Sequence, residues 1–161
     1  MTINQAITIA KKVLSEHTEL RYWSVTTNKR KTSFGTCSYT KKEIQLSEYK
    51  LPVMTDAGIK DTIFHEIAHA LCPGHHHDRV WKMKCIELGG DGKSRHGAEK
   101  FKGGEEGMRI AAEKIAKYTL TCPVCGAVYY KNRRPANSSS CGKHGRRCYD
   151  PKYKLILTQN Y

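Results

Sequence analysis

The sequence predicts an α+β fold in two parts, a larger domain over residues 1–117 and a small metal-stapled one over residues 118–161. Three features carry this reading. Apolar residues recur at helical spacing over residues 2–16 and again over 59–70; between these stretches the period falls to two; and beyond residue 118 paired cysteines stand where a hydrophobic core would otherwise be. A chain of 161 residues is long enough for one buried core with an appendage.

In order along the chain, Ile3, Ala6, Ile7, Ala10, Val13 and Leu14 form one stripe, with Lys11, Lys12 and Glu16 opposite, which predicts an amphipathic helix that packs and carries no chemistry. From Arg21 to Ser47 the alternating sets Trp23, Val25, Thr27, then Phe34, Thr36, Ser38, then Ile44, Leu46 are separated by polar turns. They predict a small three-stranded antiparallel meander. An edge strand of such a sheet beside an active-site helix is a place where an extended peptide backbone can be added.

The next helix is framed by Gly58 and Pro73-Gly74, with Ile59, Ile63, Ile67 and Ala70 on its packed face. His65 and His69 lie four residues apart and so project together, the spacing that lets two imidazoles hold one Zn²⁺. Glu66, next to the first histidine, is placed to act as a base for water rather than as a ligand. An open catalytic zinc wants a third protein ligand, for which His75, His76 and His77 compete. His77 is favoured because it opens a segment whose Trp81, Cys85 and Leu88 recur at helical spacing and can anchor it. Cys37, Cys72 and Cys85 read as small buried residues, the glycine-rich stretch after Leu88 as a mobile loop beside the cleft, and His96 as a surface histidine.

Near the C-terminus, Cys122-Pro-Val-Cys125-Gly has the knuckle spacing of a structural zinc site. Cys141 supplies a third thiolate. The fourth ligand is open between His144, at the same two-residue spacing, and Cys148 after a wider gap. A closed four-ligand site is structural, and its binding energy is folding energy for so small a module. Between the knuckles, Tyr129, Tyr130, Lys131, Arg133 and Arg134 interleave rings and cations, and Lys143, Arg146 and Arg147 extend them. Phosphate neutralisation plus base stacking is the combination that single-stranded nucleic acid binding uses.

Charge points the same way. The chain holds 28 Lys and Arg against 15 Asp and Glu, a formal +13, and residues 91–161 alone hold 15 against 6. Such an excess suggests a polyanionic partner, most often nucleic acid. No apolar run approaches the ~20 residues of a membrane span, and Met1 to Ala10 lacks the pattern of a signal peptide. Seven cysteines, an odd count with a Cys-x-x-Cys pair, fit metal binding in a reducing compartment better than disulfides. A monomer in the cytoplasm is the expectation, nucleoid-associated or, for a phage-encoded chain, in the host cytoplasm.

His65-Glu66-Ile67-Ala68-His69-Ala70, followed by His77 and Trp81, resembles the active-site helix, turn and following helix of the SprT-like zinc metalloproteases, the Spartan-related family. Trp23, Gly35 and Cys37 also match the family, and the compact layout is most similar to bacterial and phage versions. The resemblance implies a zincin-like metalloprotease domain with a C-terminal zinc ribbon, two Zn²⁺ ions (one catalytic, one structural), and protein substrates associated with or crosslinked to DNA. Family members usually carry a second Cys-x-x-Cys, from which His144 departs. The expected function is peptide hydrolysis with Glu66 as the base. The alternative is a zinc-dependent nucleic-acid-binding protein whose peptidase centre is vestigial or regulatory.

Overall fold

Helix α1 (Ile3–Ser15) opens the computed structural model, which describes residues 1–144 and 148–161. Its start is fixed by a capping box in which the Gln5 N–H donates to Thr2 Oγ1 and the Thr2 N–H to Gln5 Oε1, satisfying two otherwise orphaned donors. Ala6, Ala10 and Leu14 are its buried residues, and the two small side chains let the helix lie close to its neighbours.

Strands β1 (Ser24–Asn28), β2 (Gly35–Ser38) and β3 (Glu43–Ser47) form a sheet in the order β1-β3-β2. The antiparallel meander expected from the sequence is therefore corrected to a mixed sheet. β3 lies in the middle, parallel to β1 (Val25 beside Ile44, Thr27 beside Leu46) and antiparallel to β2 (Cys37 beside Ile44). The cause is local. A central strand is the most buried one, and Ile44, Leu46 and Ser47 are wholly enclosed, whereas β1 buries only Val25. β2 and β3 are joined by a tight turn with Lys42 in the left-handed region (φ 51°). The longer connection from β1 to β2 crosses the end of β3, where Ser47 Oγ donates to the Arg30 carbonyl (2.6 Å) and the Ser47 N–H to the Phe34 carbonyl (2.8 Å).

Helix α2 (Asp56–Leu71), capped by Thr55 Oγ1, buries Ile59, Ile63 and Ile67 in the same core as α1 and the sheet. Helix α3 (Arg79–Glu87) starts from Asp78, whose Oδ1 accepts the Trp81 N–H (3.1 Å), and buries Trp81 and Cys85 against Ala68. The glycine-rich stretch beyond it is pinned rather than free. The Thr55 N–H donates to the Lys100 carbonyl, Phe101 bridges to Met54, and Lys100 Nζ lies 3.2 Å from Asp91 and 3.5 Å from Asp61.

The chain forms two compact units, Met1–Met108 and Arg109–Tyr161, and helix α4 (Gly104–Ile115) runs through the division. In the second unit β4 (Tyr118–Thr121) pairs antiparallel with both β5 (Val128–Lys131) and β6 (Ile156–Gln159). Its core is small: Leu120, Cys122, Cys141 and Leu155. The whole is a mixed α+β chain with four α-helices and two three-stranded sheets among the described residues. None of those helices is long and apolar enough to cross a membrane.

Candidate metal centres

Helix α2 carries His65, Glu66 and His69 within one turn, and the segment past its end brings back His77. Nε2 of His77 lies 3.1 Å from Nε2 of His65 and 3.1 Å from Nε2 of His69. Three ring nitrogens aimed at one another cannot all be satisfied by sharing protons. Ligands of a tetrahedral zinc at ~2.0–2.1 Å would stand at about this separation, so the donor set fits that ion. Burial, with the neighbouring imidazoles added, pushes His65 and His69 down to about 4; burial and His76 also lower His77. All three are thereby held in the neutral form a metal requires.

His77 reaches the other two from a left-handed backbone (φ 60°), an uncommon conformation for a residue with a side chain. Asp78 secures it from the next position, capping α3 with Oδ1 while Oδ2 meets Nδ1 of His75 at 2.6 Å. That contact commits His75 elsewhere. His76 is exposed, with its ring 6.4 Å from that of His69, so of the three competing histidines the structure brings His77 to the pair.

Trp81 is the floor of the group. It is fully buried, its ring centroid lies 4.7, 5.2 and 4.6 Å from those of His65, His69 and His77, and its Nε1–H donates to the His65 carbonyl. The hydroxyl of Tyr39, from the β2–β3 turn, donates to the His69 carbonyl at 2.6 Å. His65 and His69 are thus held through their own backbone as well as by packing.

Glu66 points to the sheet. It is 8% exposed, and burial pushes its carboxyl up to about 8, against which the Cys37 N–H donates a hydrogen bond. Gly35 makes room for it: a Cβ there would stand 2.6 Å from Glu66 Cγ and 2.8 Å from Oε1. Burial and the nearby Glu66 push the Cys37 thiol up to about 12, so it is inert as a thiolate donor.

His96, expected at the surface, is instead part of a mostly buried polar cluster next to the histidine group, its ring 6.5 Å from that of His65. Its Nδ1 lies 3.2 Å from Asp61 and its Nε2 3.1 Å from the Thr62 hydroxyl, with its ring edge-on to Phe34. Burial works to raise the Asp61 carboxyl, but the His96 and Asp91 hydrogen bonds and Lys100 outweigh it and hold the carboxyl low. Asp61 sits one turn before His65. Local spacing carries no signal for this cluster, because Asp61 stands opposite the isoleucine stripe and on the same side of α2 as His65.

In the second unit Cys122, Cys125, Cys141 and His144 bring one donor atom each within 4.8 Å of one another. The Cys125 and Cys141 sulfurs are 3.8 Å apart, and the His144 ring stacks on Tyr153 (centroids 4.4 Å apart). Cys148 is exposed and stands outside this group. The Tyr129 hydroxyl beside the Cys141 sulfur (3.4 Å), helped by neighbouring donors, brings that thiol down to about 7. Tyr129 is therefore tied to the cysteines, and Tyr130 is half-buried near Arg109. Lys131, Arg133, Arg134 and Lys143 are exposed; Arg146 and Arg147 lie outside the described residues.

The fold and these donor sets define an α+β metal-binding protein with a buried carboxylate beside its histidine centre, both sets being compatible with zinc. A sequence model of the SprT-like family matches residues 3–99, and the chain belongs to that family. Membership points to a metallopeptidase-type function, and the match covers the histidine centre but not the cysteine site. No curated protein matches the chain.

Proposed function

We propose that the chain is a zinc-dependent endopeptidase acting on proteins associated with or crosslinked to DNA. The observation that supports it most is the convergence of three Nε2 atoms beside a buried glutamate of the same helix. His65, His69 and His77 would hold the ion, which supplies a lowered pKa for water and polarisation of a carbonyl. Glu66 accepts a proton from the attacking water and returns it to the leaving amine. Among the described residues β2 pairs with β3 alone, and it lies against α2 at Gly35, so its other edge is where an extended substrate would add as a strand. Cys122, Cys125, Cys141 and His144 hold a second, structural zinc. The excess of cations in residues 91–161 supports DNA as the partner.

Metal analysis of the purified protein is expected to find two zinc ions per chain, with one lost in His77→Ala and the other in Cys122→Ser. Retention of both in His77→Ala overturns the reading. Added DNA should stimulate hydrolysis and salt should suppress the stimulation; hydrolysis indifferent to DNA removes that part alone.

Gly35→Ala tests the fit of the base. Its methyl group would collide with Glu66, at a stability cost of about 1–3 kcal/mol. Turnover should fall at least tenfold with zinc content unchanged, and full turnover would mean that Glu66 is not constrained by the strand.

A further inference from the structure

The connection from β1 to β2 presents Lys29, Arg30 and Lys31 in succession, all exposed. Its backbone is fixed. The Arg30 N–H donates to Asn28 Oδ1 (2.9 Å), and the wholly buried Ser47 holds the Arg30 carbonyl (2.6 Å) and, through its N–H, the Phe34 carbonyl (2.8 Å). None of the three cations has a carboxylate partner among the described residues. The nearby Glu48 is engaged by the Thr27 hydroxyl. Beside the loop stands Tyr49, 52% exposed, with Lys31 Nζ 5.0 Å from its ring centre.

Like charges held together on a rigid loop repel one another, and a row of phosphates relieves that repulsion. An exposed ring among the cations adds a face on which an unstacked base can lie, which an acidic peptide would not use. We propose that this loop and Tyr49 form a nucleic-acid contact on the first unit itself, separate from the cations of the second unit. The proposal rests on the reading that the substrate is bound to DNA and says where that DNA runs. Lys31 lies four residues before Gly35, the residue against Glu66, so a strand gripped here leaves its attached protein at the entry to β2.

The test is binding of a labelled oligothymidylate to the full chain by fluorescence anisotropy across a salt series. It compares wild type with K29A/R30A/K31A and with the control K11A/K12A/K60A, whose cations are exposed on α1 and α2. The loop variant should show a log–log salt slope shallower by about two, since each phosphate that a cation neutralises contributes ~0.7. Its affinity at physiological salt should fall at least tenfold, while the control stays near wild type. Melting should be unchanged, because the loop is held through backbone atoms that alanine retains. Equal losses in the control would mean a net-charge effect, and no loss in the loop variant would mean a merely solvated loop; either overturns the proposal. So does loss of polyglutamate binding with oligothymidylate binding intact, which would make the partner an acidic protein segment. A wild type without salt-dependent binding would remove both this contact and the DNA part of the proposed function, whereas an unaffected loop variant removes the contact alone.

Discussion

Glu66→Gln is expected to lower peptide hydrolysis by a factor on the order of 10³, the range a positioned general base contributes, with zinc content and melting temperature maintained. The two side chains have the same shape, so the space left by Gly35 is filled as before, and the amide oxygen can still accept the Cys37 N–H. What is lost is the capacity to take a proton. Burial, against the lowering effect of the Cys37 hydrogen bond, pushes the carboxyl up to about 8, so a neutral amide is no harder to enclose than the native group. With an ion held by His65, His69 and His77, as proposed, the Glu66 carboxyl would be favoured in its ionised form and could serve as a base near neutral pH. Full hydrolysis by the variant would refute the assignment. Unimpaired biological function with hydrolysis absent would favour the nucleic-acid-binding alternative.

Trp81→Ala is expected to have the largest effect on stability. The indole is fully enclosed and touches Ala68 and Cys85 as well as the three imidazoles. Emptying such a site costs about 3–5 kcal/mol, and each kcal/mol is roughly 4 °C of melting temperature for a unit of this size. Zinc affinity should fall with it, because the floor under the rings and the donor to the His65 carbonyl go together. Saturating zinc should recover part of the melting temperature by mass action. Trp81→Phe, which keeps most of the packing, should lie between the two. A melting temperature and zinc affinity of Trp81→Ala equal to wild type would show that the rings need no support from below.

What could be read from the sequence was what short spacing encodes. The stripe of α1, the four-residue interval between His65 and His69, and the knuckle at Cys122 and Cys125 all depend on neighbours within a turn or two, where chain geometry leaves little choice. Strand order did not belong to this class. Alternation shows which side chains of β1, β2 and β3 face inward, but it is the same for a meander and for a sheet with β3 in the middle. What distinguishes them is tertiary: the full enclosure of Ile44, Leu46 and Ser47 in the middle strand and the hold of Ser47 on the β1–β2 loop. The Asp61–His96 contact was hidden for a related reason: 35 residues separate the partners, and no local period connects them. Tyr39 likewise gave no sign in the sequence that its hydroxyl would end on the His69 carbonyl.

The chain contains two tryptophans, and both lie in the first unit, Trp81 in contact with the histidine group and Trp23 linked to it through Tyr39. Trp81 lies beneath the rings, while Trp23 lies edge-on to Tyr39, 6.0 Å between centroids, the tyrosine that holds His69. Residues 109–161, which contain the cysteine group, include tyrosines and no tryptophan. Emission excited in the indole band therefore originates in the first unit, so an ion taken up by the histidine group, as the proposed function requires, would be followed optically without interference from the cysteine group.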